Sequence, residues 1–392
     1  MPAGGVIFIA MALNVSNVEA ATCRAHDSEG GETVRRLASR ARRSAGIALP
    51  LAALLAAIGG GGAAASPQSA IGWHPLHLVN GWKSASIKSF RIGSPSYAIS
   101  AGVVYLSGGI EQLTGSHAAF AVLPAKARPA HRLYLEVFTN AGVAGTLEIS
   151  PTGTMEALHG SARAFTALTG ISFPGRGIKP HALKLRNGWT SGPSADGGGS
   201  PAYAISGGIV RLSGSVRQPS GGSEVLTVLP KAARPPHVLY LSVYTFSGTP
   251  GSVLIKPDGD VLAFGKDARQ FTSLAAISYP DAKTTWHKLS LSAGWKSSQS
   301  MYDTGDPSYA VIHGVVYLSG SLHQVNGVSG LFGDLPRAAR PARILLIGTY
   351  ALDGAYGSLS LTPSGLMSVI SHPQTGAEAY TSLAAISYPR NS

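Results

Sequence analysis

With 392 residues, 49 glycines, 25 prolines and only 13% charged residues, the composition disfavours a helical bundle and suits short strands joined by tight turns. Its one cysteine, Cys23, excludes an intramolecular disulfide, so an exported module must be held by an apolar core. The net charge of +12 is scattered, with no Lys/Arg run beyond the N-terminus, which argues against a nucleic-acid tract and leaves a mild preference for acidic surfaces or glycopolymers.

In chain order, residues 1–65 read as a targeting segment. Arg35, Arg36, Arg40, Arg42 and Arg43 precede an apolar stretch from Ala45 to Ile58, then Gly59–Gly62 and Ala63-Ala64-Ala65-Ser66. Basic, apolar, then small is the order of a secretory signal, with cleavage expected after Ala65 and translation expected to begin near Val34. The alternative is that Gly5–Leu13 is the export segment. Pro50 and the glycines argue against a permanent span, so the protein is expected to be secreted or at the cell surface, with no stable membrane segment after cleavage.

Three copies of one module follow, at 73–175, 178–280 and 286–389. Pro95-Ser96-Tyr97 returns as Pro201-Ala202-Tyr203 and Pro307-Ser308-Tyr309, and Leu123-Pro124 as Leu229-Pro230 and Leu335-Pro336. Gly81-Trp82, Gly188-Trp189 and Gly294-Trp295 open the copies, while Ile171–Pro174, Ile277–Pro280 and Ile386–Pro389 close them. A period of about 106 residues is too long for a solenoid, so each copy should be a whole domain. The connectors Gly175–Lys179 and Asp281–Thr285 are short enough that neighbours should touch.

Within a copy, Val103–Leu106, Leu133–Val137 and Phe165–Ile171 read as strands. A hairpin turn recurs as Pro151-Thr152-Gly153, Pro257-Asp258-Gly259 and Pro363-Ser364-Gly365. Seven to nine strands per copy predict an all-β protein: three tandem antiparallel β-sandwich, jelly-roll-like domains after the signal segment.

Recurrence separates scaffold from decoration. Trp82, Trp189 and Trp295 are expected to plug the end of each core, Arg128, Arg234 and Arg340 to have a structural role such as fastening a carbonyl-rich loop, and Gln112, Gln218 and Gln324 to bridge a hairpin. His74, His181 and His287 also recur, but each copy supplies one without further ligands at metal spacing, so no metal and no cofactor are expected. No carboxylate recurs in all three copies, and no Ser/His/acid set does, so no catalytic residue is assigned and the protein is expected not to be an enzyme. Two loops vary between copies: Lys83–Ser94, Thr190–Ser200 and Lys296–Asp306, and then Leu113–Phe120, Pro219–Leu226 and Val325–Phe332. Phe90, Arg91, Asp196, Tyr302, Asp303, Asp306 and Asn326 are the candidate ligand contacts in them.

The order Asn80-Gly81-Trp82, Pro95–Tyr97, Val104–Gly108, Leu123-Pro124 and Arg128-Pro129, repeated in each copy, resembles the C-terminal head modules of phage tail fibres and receptor-binding proteins. The resemblance implies a β-sandwich head, often trimeric, that recognises cell-surface saccharide. Three linked copies are expected to imitate that trimer as an intramolecular pseudo-threefold, in a bacterial protein that uses the same module. The reading is a secreted, non-enzymatic recognition protein whose partner is an envelope polysaccharide. The alternatives are a structural envelope or coat protein and a glycan-active enzyme.

Overall fold

The computed structural model of the protein describes residues 71–85, 92–327, 329–370 and 376–392. The targeting segment 1–65 and the candidates Phe90 and Arg91 lie outside the described residues. Among those described the chain is all-β, with 33 strands; helix is confined to one α-turn, Gln299–Tyr302, and short 3-10 turns. No described helix is long and apolar enough to cross a membrane.

The first repeat holds eleven strands: β1 (Trp73–Pro75), β2 (Lys83–Ser84), β3 (Ser96–Ser100), β4 (Val103–Ser107), β5 (Gly109–Glu111), β6 (Ala119–Val122), β7 (Leu133–Phe138), β8 (Ala144–Ile149), β9 (Thr154–Leu158), β10 (Thr166–Ala167) and β11 (Ser172–Pro174). They pair antiparallel in three small sheets, ordered β1-β3-β4-β11, β2-β5-β10 and β6-β9-β8-β7, and both other repeats keep these orders. The count exceeds the seven to nine read from sequence because strands such as β2 and β10 have two residues, too few to show alternation.

Longer strands show why the sequence folds this way. In β7, Leu133, Leu135 and Val137 enter the repeat's own core, while Tyr134 and Glu136 face the other side. Each repeat has its own apolar cluster, around Phe120, Leu147 and Met155 in the first, Leu226, Val253 and Ile255 in the second, and Phe332, Leu359 and Met367 in the third. Truncating Phe120 to alanine would remove about 3–5 kcal/mol.

Three recurring motifs form a single knot. Leu123 N–H bonds the Gly153 carbonyl at 2.8 Å, and Arg128 Nε donates to the Leu123 carbonyl at 3.0 Å. The same pair of bonds joins Leu229, Gly259 and Arg234, and again Leu335, Gly365 and Arg340. A Cβ at Gly153 would lie 2.6 Å from the Leu123 carbonyl, and φ there is +94°, so the turn requires glycine.

The repeats form one compact unit from Ala70 to Ser392. The edge strands β7, β18 (Leu239–Tyr244) and β29 (Leu345–Tyr350) each touch both others, which covers backbone edges that would otherwise invite pairing with another chain. Other contacts run in one cyclic sense. Arg132 N–H bonds the Gly197 carbonyl of the second repeat at 2.9 Å, and Val238 N–H bonds the Asp303 carbonyl of the third at 3.0 Å. Ile92 of the first repeat packs with Ile344 and Leu346 of the third, which completes the circuit. The turn before each closing strand follows the same rule: Ala275 and Ala276 pack on the first core, and Ala384 and Ala385 on the second. Thr169 exchanges bonds with Leu346 at 2.8 and 3.1 Å. Gly170, Ala276 and Ala385 all have positive φ, yet only the first is glycine. A Cβ on Gly170 would approach Ile347 to 3.0 Å, and Ile347 is β-branched where the other repeats carry Leu135 and Leu241.

Candidate functional site

The repeated tryptophans are buried, each 4% exposed, and Trp82 and Trp295 pack against Phe120 and Phe332. Each indole N–H donates to one loop carbonyl, that of His117, Ser223 or Ser329, at 2.8–2.9 Å. Gln112, Gln218 and Gln324 donate to those same carbonyls and also to Asn80, Asn187 and Ala293, so indole and amide together hold the second variable loop onto the Gly-Trp turn.

The first variable loop, chosen from sequence as a ligand surface, joins the repeats instead. The Asp196 carbonyl accepts the Tyr134 hydroxyl of the first repeat at 3.0 Å. Tyr302 packs edge-on against Tyr380, 4.5 Å between centroids, and lies 6.1 Å from Tyr240 of the second repeat. Asp303 gives its carbonyl to Val238. Asp306 bonds Ser297 and pairs with Lys288, whose ammonium holds its carboxyl below the usual carboxylate range. The physical reason is that variable residues had to fit three different seams, so variability in this loop records neighbours. Of the five described candidates, Asp306 is held by Ser297 and Lys288 of its own repeat, and only Asn326, in the second variable loop, stands exposed and unconnected to another repeat, its backbone N–H bonded to Gln324.

The structure brings together a set that sequence reasoning passed over. His74 on β1 pairs directly across from Tyr97 on β3, and the rings stack at 5.3 Å. His181 and Tyr203 do the same at 5.3 Å, and His287 and Tyr309 at 5.2 Å. All three histidines are exposed and all three tyrosines half-buried. The pair fastens a very short edge strand and leaves one imidazole face to solvent. The recurrence of both residues was visible in the sequence; that their strands pair in register was not.

At the meeting of β7, β18 and β29 lies a cavity of about 120 Å³ lined by Glu136, Ser242, Gly348 and Tyr356. Glu136, Ser242 and Gly348 are equivalent positions. Glu136 Oε1 and the Tyr356 hydroxyl are enclosed with no hydrogen-bond partner among the described residues, and burial, against a smaller lowering by the Ser242 hydroxyl, pushes the Glu136 carboxyl up to about 8. Burial, followed by the nearby Glu148 carboxylate, pushes the Tyr134 phenol up to about 12. Among the described residues no group of three His, Cys, Asp or Glu could hold a metal ion. No family model, no curated protein and no solved structure matches the chain.

Proposed function

We propose that the protein is an exported, non-enzymatic recognition protein that binds cell-surface or envelope polysaccharide, with its three repeats standing as an intramolecular pseudo-threefold in place of a trimer. The observation that carries this reading is the three exposed His–Tyr stacks, His74–Tyr97, His181–Tyr203 and His287–Tyr309. A sugar presents an apolar face of C–H bonds, which packs on an aromatic face, and three equal platforms on a fixed frame multiply a weak contact against a repeating polymer. The exposed second variable loops, with Leu113 66% and Val325 45% exposed, flank this role with residues that differ between copies.

The test is retention of the protein on cell-wall and surface glycans. Exchanging His74, His181 and His287 for alanine together should abolish retention while leaving the three apolar cores folded, and a single exchange should weaken it by less. Retention unaffected by the triple exchange, or absent in the parent, contradicts the reading. A second reading, a structural envelope component, is favoured by Ile99, Ile205 and Val311, equivalent aliphatic residues 37–40% exposed. It predicts self-association that falls when these three become serine.

A further inference from the structure

Where the hairpins of the three repeats converge lies a second pocket, of about 140 Å³, built from equivalent positions. In the first repeat β3 and β4 form the hairpin; in the others it is β14 (Ala202–Ser206) with β15 (Ile209–Ser213), and β25 (Ser308–Ile312) with β26 (Val315–Ser319). The tips Ala101, Gly207 and His313 form the mouth. Two residues further along each strand come Val103, Ile209 and Val315, and two more bring Tyr105, Arg211 and Tyr317.

Those last three positions decide the chemistry. Tyr105, Arg211 and Tyr317 are 5%, 8% and 3% exposed, so a guanidinium is buried where the other repeats supply a phenol. The Arg211 guanidinium and the Tyr317 hydroxyl stand beside the Tyr105 phenol, and both act to lower its pKa against the larger effect of burial. No acidic side chain lines the pocket, and among the described residues Arg211 has no salt-bridge partner. A buried cation without a counter-charge is costly, while a planar guanidinium offers paired donors matched to an oxyanion. Ser100 and Ser206 add hydroxyls, and His313 adds a ring that can donate at the mouth. A water occupies about 30 Å³ in the liquid, so the space admits a carboxylate or a phosphate. Burial raises the Tyr105 and Tyr317 phenols, which keeps them protonated as donors.

We propose that this pocket is a binding site for one small oxyanion per chain, carboxylate or phosphate, held by Arg211 with Tyr105 and Tyr317. The site is independent of the glycan platforms. The test takes the full chain at fixed pH and ionic strength and titrates inorganic phosphate, sulfate, acetate and glucuronate, following Tm and heat of binding. One or more should bind saturably at one per chain, and the phosphate and carboxylate arms identify which headgroup fits. Arg211→Tyr, which matches the residue of the other two repeats, should fold and bind about tenfold or more weakly. Equal binding by this variant, or no saturable binding of any probe to the parent, overturns the proposal. Should the variant fold poorly, the Arg211 Nε–H resonance of the unaltered chain decides: it should move with the bound fraction, and an unmoved resonance overturns the site.

Discussion

Tyr279 and Tyr388 donate their hydroxyls to the Ala233 and Ala339 carbonyls at 2.8 Å, tying the closing strand of each of these repeats to its Arg-Pro turn. The first repeat has Phe173 there, so the bond is an increment on a fold that packs without it. Tyr279→Phe should therefore cost about 1 kcal/mol in denaturant unfolding, leaving one buried carbonyl short of a donor. Glu136 has a larger effect, and of opposite sign. Its carboxyl loses its proton near 4.5 in the unfolded chain but only near 8 in the folded one. Between those values the folded state holds a proton that the unfolded state has released, so stability falls as pH rises from about 4.5 to 8 and levels off above. Glu136→Gln should flatten that slope and stabilise the protein at pH 9 by on the order of a few kcal/mol. Unfolding midpoints at pH 5, 7 and 9 check this; parallel pH profiles for parent and variant would contradict it.

Among elements, the first variable loop carries the clearest consequence. In the third repeat it places Tyr302 against Tyr380 and Tyr240, aromatic contacts that each contribute about 0.5–1.5 kcal/mol beyond area burial. Tyr302→Ala should destabilise the protein by about 2 kcal/mol, whereas Asn326→Ala, in the exposed second loop, should stay within about 0.5 kcal/mol. Thermal unfolding of the two variants separates a joint from a free loop. The longer strands and the Leu-Pro, Arg-Pro and Pro-x-Gly turns are legible in the sequence, because each is a local backbone requirement written three times; Phe165–Ile171, read as one strand, holds only Thr166–Ala167, and the closing strand is Ser172–Pro174. What these motifs bond to was not legible, since it depends on chain segments far apart. Variation in the first loop has a second source that the sequence hides for a related reason: it marks any surface that must fit unlike neighbours, and here neighbours belong to the same chain. The His–Tyr stacks were hidden because the pairing register between β1 and β3 is a tertiary fact.

Among the described residues the three similar repeats form a circuit whose seams differ in chemistry. The seam between the first two holds Tyr134, Tyr244 and Phe271. Tyr240, Tyr302, Tyr350 and Tyr380 fill the seam between the second and third. Ile92, Phe138, Phe165, Ile344 and Leu346 close the third onto the first. Unlike seams fix the order of the repeats and disfavour exchange between chains, the hazard of any tandem array. The central claim is that these seams make one cooperative body. Scanning calorimetry of residues 70–392 tests it most directly. The account predicts a single transition whose calorimetric enthalpy equals the van't Hoff enthalpy, displaced as a whole by Tyr302→Ala. Three separable transitions, with only those of the second and third repeats moved by that substitution, would contradict it.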